Sequence, residues 1–312
     1  MISVAMTTYN GEYFVKRQLE SIVAQSVKPD EIIVIDDCST DNTIEILHNF
    51  AKKYPEIKWN IQSNEQNLGW RKNFAKAILL TQGDFVYLSD QDDYWYYNKI
   101  EVMQNAFFRN ENILVLACGF ETIKLQDFSI NHSKKYLYSG EYNFSEPGLQ
   151  LLDDNFYMIH NPGCSMAFRG ECRSWFNNNK LWNGTQPHDE FIWVLAVLSK
   201  GAFTINEKLF SYIRHSSSAT AKTTYTKNKR IKLIEEKIKC IDIAEIFMNE
   251  VQMNKNIKLR NRIKIIKNFL CSRKEFIKKP GLIKFMKLIK HIWLYEKIIW
   301  MFVDIYCSLL RY

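Results

Sequence analysis

Short apolar runs alternate with amphipathic stretches through the first third of the chain. The apolar runs are rich in Ile, Val and aromatic residues, as is typical of buried strands, and the longer stretches between them carry apolar residues near helical spacing. The predicted elements are strand 2–7, helix 12–25, strand 31–35, helix 42–54, strand 59–62, helix 71–81 and strand 85–88. This order predicts right-handed βαβ units, and therefore an α/β fold with a mostly parallel sheet flanked by helices.

The pattern is less regular in the middle of the chain, where residues 121–160 show no clear periodicity. The predicted elements after residue 97 are helix 98–109, strand 112–120, helix 191–198 and strands 201–206 and 209–214. Pro187, Asp189 and Glu190 stand directly before the apolar helix predicted at 191–198. Proline and carboxylates are favoured at a helix start, so Asp189 is open to interpretation as a simple helix cap.

Polar residues follow the ends of the predicted strands, in the loops 8–10, 36–37, 67–72 and 90–93. Open α/β sheets bind ligands outside the carboxyl ends of their strands, so we expect these loops to form one site. The first strand is not followed by the glycine pattern of dinucleotide-binding folds, and the chain has no Walker phosphate loop. A diphosphate bound here would therefore need a metal ion to neutralise its charge.

Three carboxylates follow the strand at residues 85–88, at Asp90, Asp92 and Asp93. Like charges this close repel one another unless a cation or several hydrogen-bond donors compensate them. The cluster therefore indicates a site for Mg²⁺ or Mn²⁺, which prefer oxygen ligands. The alternative is a solvated acidic turn in which Asp93 caps the helix that follows.

The composition is that of a globular protein, with 46% hydrophobic and 24% charged residues among 312. The seven cysteines form no Cys-x-x-Cys pair and are interpreted as reduced thiols of an intracellular protein. The start of the chain lacks the pattern of a signal peptide, and no apolar run is long enough to span a bilayer. We therefore expect a cytoplasmic protein.

Positive charge is concentrated at the C-terminal end of the chain. Residues 225–312 hold 21 of the 42 Lys and Arg but 8 of the 34 Asp and Glu, so residues 1–224 are mildly acidic. The basic part has helical, partly amphipathic character, which predicts a peripheral contact with an anionic membrane surface at the inner face of the cell membrane. The alternative is a helical bundle packed on the rest of the chain or on a second copy, as in a homodimer. Nucleic-acid binding is not expected, because no recognition motif accompanies the charge.

Several of these segments together resemble a known family. They are Val-Ala-Met-Thr-Thr-Tyr-Asn-Gly at 4–11, Ile-Asp-Asp-Cys-Ser-Thr-Asp-Asn-Thr at 35–43, Asn-Leu-Gly-Trp-Arg-Lys-Asn at 67–73, Leu-Ser-Asp-Gln-Asp-Asp-Tyr-Trp at 88–95 and His-Asp at 188–189. In this order they resemble the inverting family 2 glycosyltransferases of the GT-A (Rossmann-like) fold, and most of all the rhamnosyltransferase-like branch that builds bacterial surface polysaccharides. The resemblance covers about residues 1–218.

The resemblance implies a division of the chain and a role for each matching residue. Residues 1–224 would be the catalytic domain, with a nucleotide-sugar-binding half (about 1–110) and an acceptor-binding half (about 111–224), and residues 225–312 the basic helical tail. The residues implied for the donor are Thr8, Tyr9, Asn10, Glu12, Asp37, Arg71, Lys72 and Asp90. Asp92 and His215 would bind the metal, with Asp93 nearby or behind it, and Asp189 would be the catalytic base. From the residues alone, the interpretation of His215 as a loop histidine is favoured over that as a ligand.

The implied activity is transfer of a sugar from a nucleoside-diphosphate sugar, such as dTDP-rhamnose or a UDP-sugar, to a glycan acceptor that is lipid-linked. The Gln-x-x-Arg-Trp sequence of processive synthases is absent, which argues against polymerisation. The segment at 212–215 is Tyr-Ile-Arg-His where the family has Tyr-Arg-Gln-His. The alternatives are a sugar nucleotidyltransferase, which normally has a glycine-rich basic loop after its first strand, and a non-catalytic nucleotide-sugar-binding protein.

Overall fold

The computed structural model describes residues 1–124, 147–149, 156–157, 161–215, 226–251 and 256–310. The strands are β1 (Ile2–Thr8), β2 (Glu31–Asp36), β3 (Lys58–Ser63), β4 (Phe85–Ser89), β5 (Tyr94–Trp95), β6 (Val115–Lys124), β7 (Gly148–Leu149), β8 (Met166–Arg169) and β9 (Ala202–Arg214). The helices are α1 (Val15–Val23), α2 (Thr43–Lys53), α3 (Trp70–Leu80), α4 (Lys99–Arg109), α5 (Arg173–Asn177), α6 (His188–Leu198), α7 (Lys227–Glu250), α8 (Ile257–Lys278), α9 (Leu282–Lys290) and α10 (Ile299–Leu309).

The described strands form one sheet with the order β3-β2-β1-β4-β8-β6-β9-β5, and β7 pairs with β9. β3, β2, β1 and β4 are parallel neighbours, as the βαβ pattern predicts. β8 is antiparallel to both β4 and β6, whereas β6 and β9 are parallel. The prediction of an α/β fold with a mostly parallel sheet between helices is confirmed, and the sheet becomes mixed beyond β4.

Two hydrophobic cores lie on opposite faces of the sheet, because successive side chains of a strand point to opposite faces. Along β1, Val4 and Met6 pack into the core shared with α1, α2 and α4. Ala5 between them packs into the second core, together with α3 and α6. This second core continues without a break into buried residues of α7 and α8, such as Ile241 and Ile266. The basic C-terminal helices therefore pack on the sheet domain, as one of the alternatives had it.

The prediction of two strands at 201–206 and 209–214 is wrong, because β9 runs through both. Its pairing with β6 shifts register between Cys118 and Gly119 and again before Glu121. A β-bulge of this kind interrupts the alternation of buried and exposed residues without ending the strand. The interruption in the sequence pattern is therefore a bulge and not a turn.

The four C-terminal helices carry both buried and exposed apolar residues. Asp304 of α10 is fully buried and accepts hydrogen bonds from Arg230 of α7 at 2.7 Å, Arg273 of α8 at 2.7 Å and the Tyr295 hydroxyl at 2.9 Å. This network joins three helices that are far apart in sequence. None of the helices that the structure describes has the length and low charge needed to cross a membrane.

Candidate active site

The loops that follow β1, β2, β3 and β4 meet at the carboxyl edge of the sheet. The backbone N–H of Asp37, after β2, donates to the Thr8 carbonyl at the end of β1, at 2.8 Å. The Gln91 side chain, after β4, bonds to both the N–H and the carbonyl of Tyr9, at 2.9 and 3.0 Å. Leu68, after β3, donates its N–H to the Asp37 carboxylate at 2.7 Å. Strand order thus gathers the four polar loops into one site.

Two of the three clustered carboxylates lie next to a thiol. One ligand atom each of Asp90, Asp93 and Cys164 lies within 4.8 Å of the others. Asp93 is buried; one of its oxygens accepts the Ile213 N–H at 3.2 Å, and its carboxyl group also interacts with the Cys164 thiol. Asp93 is therefore not the exposed helix cap of the alternative reading, and α4 begins only at Lys99.

Burial and mutual repulsion act together on these groups. Burial, followed by the charges of Asp92 and Asp189, raises the pKa of Asp90 to about 7. Burial, followed by the same neighbour Asp92 and by Asp90, raises the pKa of Asp93 well above its usual value. Burial also raises the pKa of Cys164 well above its usual value, so its thiol is protonated. A protonated thiol is a poor ligand for a hard metal ion, so the carboxylate oxygens are the candidate ligands of this group.

A buried cation lies under the carboxylates. The Lys99 ammonium donates to the Cys164 carbonyl at 2.6 Å and lies 4.0 Å from the centroid of the Trp95 ring. Burial lowers the pKa of Lys99, and the charges of Asp93 and Asp90 raise it. Lys99 in turn lowers the pKa of Asp90. The acidic cluster is thus compensated in part by the protein itself.

The two residues predicted as metal ligands lie side by side. Nε2 of His215 is 2.8 Å from Oδ2 of Asp92, and the His215 ring stacks on Phe14 with a centroid distance of 4.2 Å. Arg17 donates to the backbone carbonyl of Asp92 at 2.7 Å, which holds the turn in place. β9 ends at Arg214, so its last residues carry His215 to the end of β4. Asp92 and His215 are more than a hundred residues apart in sequence, and the sheet brings them together.

The side chain of Asp37 is engaged by the loop after β3. Its oxygens accept the N–H groups of Leu68 at 2.7 Å and Gly69 at 2.8 Å, and the side-chain amide of Asn64 at 2.9 Å. A carboxylate has about four acceptor positions, so one remains for a ligand. The predicted contact with a nucleotide base stays a prediction, and the observed contacts show that Asp37 also fixes the loop at residues 64–69.

The other residues predicted to bind the donor's nucleoside lie near the end of β1. The Thr8 hydroxyl is buried and donates to Asp36 at 2.7 Å, whereas Tyr9 is exposed. Asn10 has a positive φ of 46°, and its side-chain oxygen accepts the Thr40 N–H at 2.9 Å. Glu12 accepts the side-chain amide of Asn42 at 2.9 Å. Tyr9 and Asn10 are therefore the members of this group that are exposed to a ligand.

Arg71 and Lys72 begin α3 and point in different directions. Arg71 forms an ion pair with Glu236 of α7 and lies over the Trp70 ring, with its guanidinium carbon 4.8 Å from the centroid. The Lys72 stem packs against Gly184, where a Cβ would come within 3.1 Å of Lys72 Cγ. No local sequence pattern indicates that α7 reaches Arg71.

Asp189 lies in the first turn of α6, half-buried, with one oxygen accepting the Glu190 N–H at 2.9 Å. Burial raises the pKa of Asp189, while the backbone N–H groups of Glu190 and Gly163 and the charge of Lys237 lower it. Gly163 is close to this turn, since a Cβ on it would lie 3.2 Å from that of Asp189. The next residue after Gly163, Cys164, has its thiol within 4.8 Å of ligand atoms of Asp90 and Asp93, so the base candidate and the acidic cluster lie close together.

Sequence reasoning missed five residues that shape this site. They are Phe14, Arg17, Gln91, Lys99 and Cys164. Gln91 stands inside the acidic segment and could have been found there. The others lie on separate elements, and no local pattern links them to the carboxylates.

The fold and the site define a class: an α/β enzyme with a carboxylate-rich cleft at the carboxyl edge of parallel strands. Residues 3–179 match the family model "Glycosyl transferase family 2". A dTDP-rhamnosyl transferase from Shigella flexneri is 30% identical over 252 residues, which are 74% of this chain and 80% of that protein. This chain belongs to glycosyl transferase family 2.

Solved structures show the same fold at low sequence identity. The protein TarS from S. aureus, in a fragment solved in complex with UDP, superposes with a TM-score of 0.58 at 17% identity, over 90% of this chain and 75% of that one. A mannosyltransferase from Pyrobaculum calidifontis, solved with GDP-Man and Mn²⁺, gives a TM-score of 0.51 at 15% identity, over 98% of this chain and 84% of that one. The GT-A fold is thereby confirmed, and the protein is a glycosyltransferase, for which an inverting mechanism is consistent with family 2.

Proposed function

We propose that this protein transfers a sugar from a nucleoside-diphosphate sugar to a hydroxyl of a glycan acceptor, with inversion at the anomeric carbon. The observation that carries the proposal is that the segment at Gly163 and Cys164 contacts both Asp189 and the acidic cluster, whose neighbour Asp92 pairs with His215. Membership in family 2 favours this reaction over the sugar nucleotidyltransferase and over a protein that only binds nucleotide sugars.

Asp189 is the proposed base. Its ionised carboxylate takes the proton of the acceptor hydroxyl as the hydroxyl oxygen forms its bond to the anomeric carbon, and the bond from that carbon to the diphosphate oxygen breaks. The backbone N–H groups of Glu190 and Gly163 favour its ionised form and oppose the burial that raises its pKa. Attack from the face opposite the diphosphate inverts the configuration.

The donor set fits a hard divalent cation. Asp92 and His215 are the proposed ligands, and the buried carboxyl group of Asp93 lies within the same acidic cluster. When bound, Mg²⁺ or Mn²⁺ supplies Lewis-acid neutralisation of the leaving diphosphate. The residues of the chain provide the rest: Tyr9 and Asn10 line the nucleoside side, Asp90 faces the sugar, and Lys99 limits the repulsion among the carboxylates.

The donor is proposed to be dTDP-rhamnose or a UDP-sugar. The name of the Shigella flexneri relative supports the first, and the UDP in the TarS structure supports the second. Thermal unfolding with a panel of nucleotide sugars and Mn²⁺ distinguishes them, because a ligand at a hundred times its Kd stabilises the folded protein by about 2.7 kcal/mol. The true donor raises Tm more than its free nucleoside diphosphate does.

Transfer assays with that donor test the function itself. Asp189→Asn should lower kcat by about a thousandfold or more while donor binding is retained, because only the proton acceptor is lost. Asp92→Ala should remove the stimulation by Mn²⁺. Glu56→Gln, an exposed carboxylate just before β3 and therefore at the opposite edge of the parallel strands, serves as the matched control and should behave as wild type. Normal transfer by Asp189→Asn would show that another group is the base.

We also infer that the C-terminal helices contact an anionic membrane surface, where a lipid-linked acceptor would be presented. Support comes from large apolar side chains exposed beside exposed lysines. The apolar ones are Leu282, Ile283, Met286, Ile289, Trp293, Ile299, Phe302, Tyr306 and Leu309, and the lysines are Lys278, Lys279, Lys287, Lys290 and Lys297. Such a surface suits partial insertion with lysines at the headgroups.

A further inference from the structure

Two consecutive charged residues of α7 reach two different elements of the candidate active site. Glu236 pairs with Arg71 at the start of α3, and Lys237 pairs with Glu190 in the first turn of α6. All four side chains are half-buried, with exposed fractions between 15% and 26%. α7 belongs to the basic C-terminal region, which the family model does not cover.

A third residue of α7 completes the contact with α6. Cys240 is three residues beyond Lys237 and therefore lies on the same side of the helix. Its thiol donates to one oxygen of Glu190 at 3.2 Å, while Lys237 binds the other oxygen. Both oxygens of Glu190 are thus held by α7. The backbone N–H of Glu190 is in turn bound to Asp189, so the contact continues to the proposed base.

The contact between α7 and α6 also affects the pKa of Asp189. The titratable groups that lie next to it or act on it are Asp90, His188, Glu190, Lys237 and Cys240. Lys237 is the cation in this set, and it lowers the pKa that burial raises. The negative charges of Asp90 and Glu190 act in the opposite direction. A base that must be ionised before it can act depends on this balance.

We propose that Lys237 is a positioning residue for sugar transfer: it holds the first turn of α6 and keeps Asp189 in place and ionised. The inference rests on the proposed role of Asp189 as base. α7 is then part of the catalytic unit, and the C-terminal region does more than contact a membrane. The Glu236–Arg71 pair fixes α7 against α3 on the donor side of the same cleft.

The pH profile of kcat/KM separates this role from a merely structural one. Lys237→Gln removes the cation and leaves Glu190 uncompensated, so the pKa of Asp189 rises and the acid limb moves to higher pH by roughly half a unit or more. At a pH on that limb, kcat/KM falls about threefold or more. Glu190→Gln removes the neighbouring negative charge and should move the limb to lower pH. Lys237→Arg keeps the charge and should restore the wild-type profile.

The matched control is Lys267→Gln, which breaks an ion pair of α8 with Asp242 and Glu245 of α7 away from α6. It should leave the pH profile unchanged. Thermal unfolding of each variant identifies a loss of folding, and the opposite shifts of Lys237→Gln and Glu190→Gln cannot both arise from destabilisation. An unshifted acid limb in Lys237→Gln, together with inactive Asp189→Asn, would overturn this inference alone. Active Asp189→Asn would overturn the proposed function first.

Discussion

Among single residues, His188 is a polar side chain that is buried between aromatic rings. Its ring stacks on Phe74 with a centroid distance of 4.0 Å and meets the edge of Trp70 at 5.7 Å. Neither ring nitrogen has a hydrogen-bond partner within the part of the chain that the structure describes. Burial, followed by the charge of Arg71, lowers the pKa of His188 to about 3. His188 therefore acts as a neutral aromatic spacer beside Asp189.

This environment predicts how stability depends on pH. The folded protein does not protonate His188 between about pH 3 and pH 6.5, whereas the unfolded chain does, so His188 makes the folded state less stable as the pH falls through this range. The loss is about 1.4 kcal/mol per pH unit. His188→Phe removes the titration and keeps the ring stacking.

Urea unfolding of both proteins at pH 7.5 and pH 5 measures the difference. The variant should lose about 2 kcal/mol less than wild type on acidification, since pH 5 lies about 1.5 units below the ordinary pKa of histidine. Equal losses in the two proteins would mean that His188 becomes protonated in the folded state.

Among the helices, α9 exposes several of its apolar residues to solvent. A helix on a protein surface normally turns its apolar stripe to the core. In α9, Leu288 is buried, but Leu282 and Ile283 are each 77% exposed and Met286 is 59% exposed. Lys287 and Lys290 are exposed on the same helix. An apolar side chain gains about 1.5–3 kcal/mol when it leaves water, so this helix is suited to a second surface.

We expect the triple change Leu282→Ser, Ile283→Ser and Met286→Ser to reduce binding to vesicles that contain anionic lipid by tenfold or more, because three apolar side chains no longer insert. Flotation of the full chain measures it. Ile257→Ser, which alters an exposed residue of α8, is the control and should float as wild type does. If the triple variant floats normally but changes oligomeric state in size-exclusion chromatography, the surface joins two copies of the chain.

For the molecule as a whole, the sheet domain and the C-terminal helices share one hydrophobic core, so the helices cannot be deleted without exposing it. Buried residues of the sheet, α3 and α6 form one cluster with those of α7, α8 and α10. Removal of residues 225–312 would therefore expose part of the core of the sheet domain. The division of the chain at residue 224 stays a prediction about function, and point substitutions are the better tests of the C-terminal helices.

We expect the buried carboxylate of Asp304 to contribute strongly to the stability of the packing of α7, α8 and α10. Asp304→Ala leaves Arg230 and Arg273 buried without their partner, which we expect to cost about 3–5 kcal/mol of unfolding free energy. Urea unfolding measures it. Asp242→Ala breaks the half-exposed pair with Lys267 and should cost about 1 kcal/mol or less. Similar costs for the two substitutions would show that the Asp304 network does not hold α7, α8 and α10 together.

Local pattern was enough to predict most elements and the edge of the sheet that carries the site. The βαβ alternation predicted β1 to β4, and the carboxyl-end rule placed Asp37 and Asp92 at one edge. The pattern failed at β9, where a bulge has the same effect on alternation as a turn. It also gave no assignment for residues 121–160, of which 125–146, 150–155 and 158–160 lie outside the described residues.

The sequence by itself determined which chemistry the chain carries, because carboxylates at strand ends and an acidic helix start are local features. Only the tertiary structure decided which groups act on one another. Lys237 at Glu190 and His215 at Asp92 are contacts between distant parts of the chain, set by the order of strands and the packing of helices. Short-range periodicity does not contain information on such contacts. The charge of the basic C-terminal region therefore does not indicate that its helix α7 packs against α6, next to the proposed base.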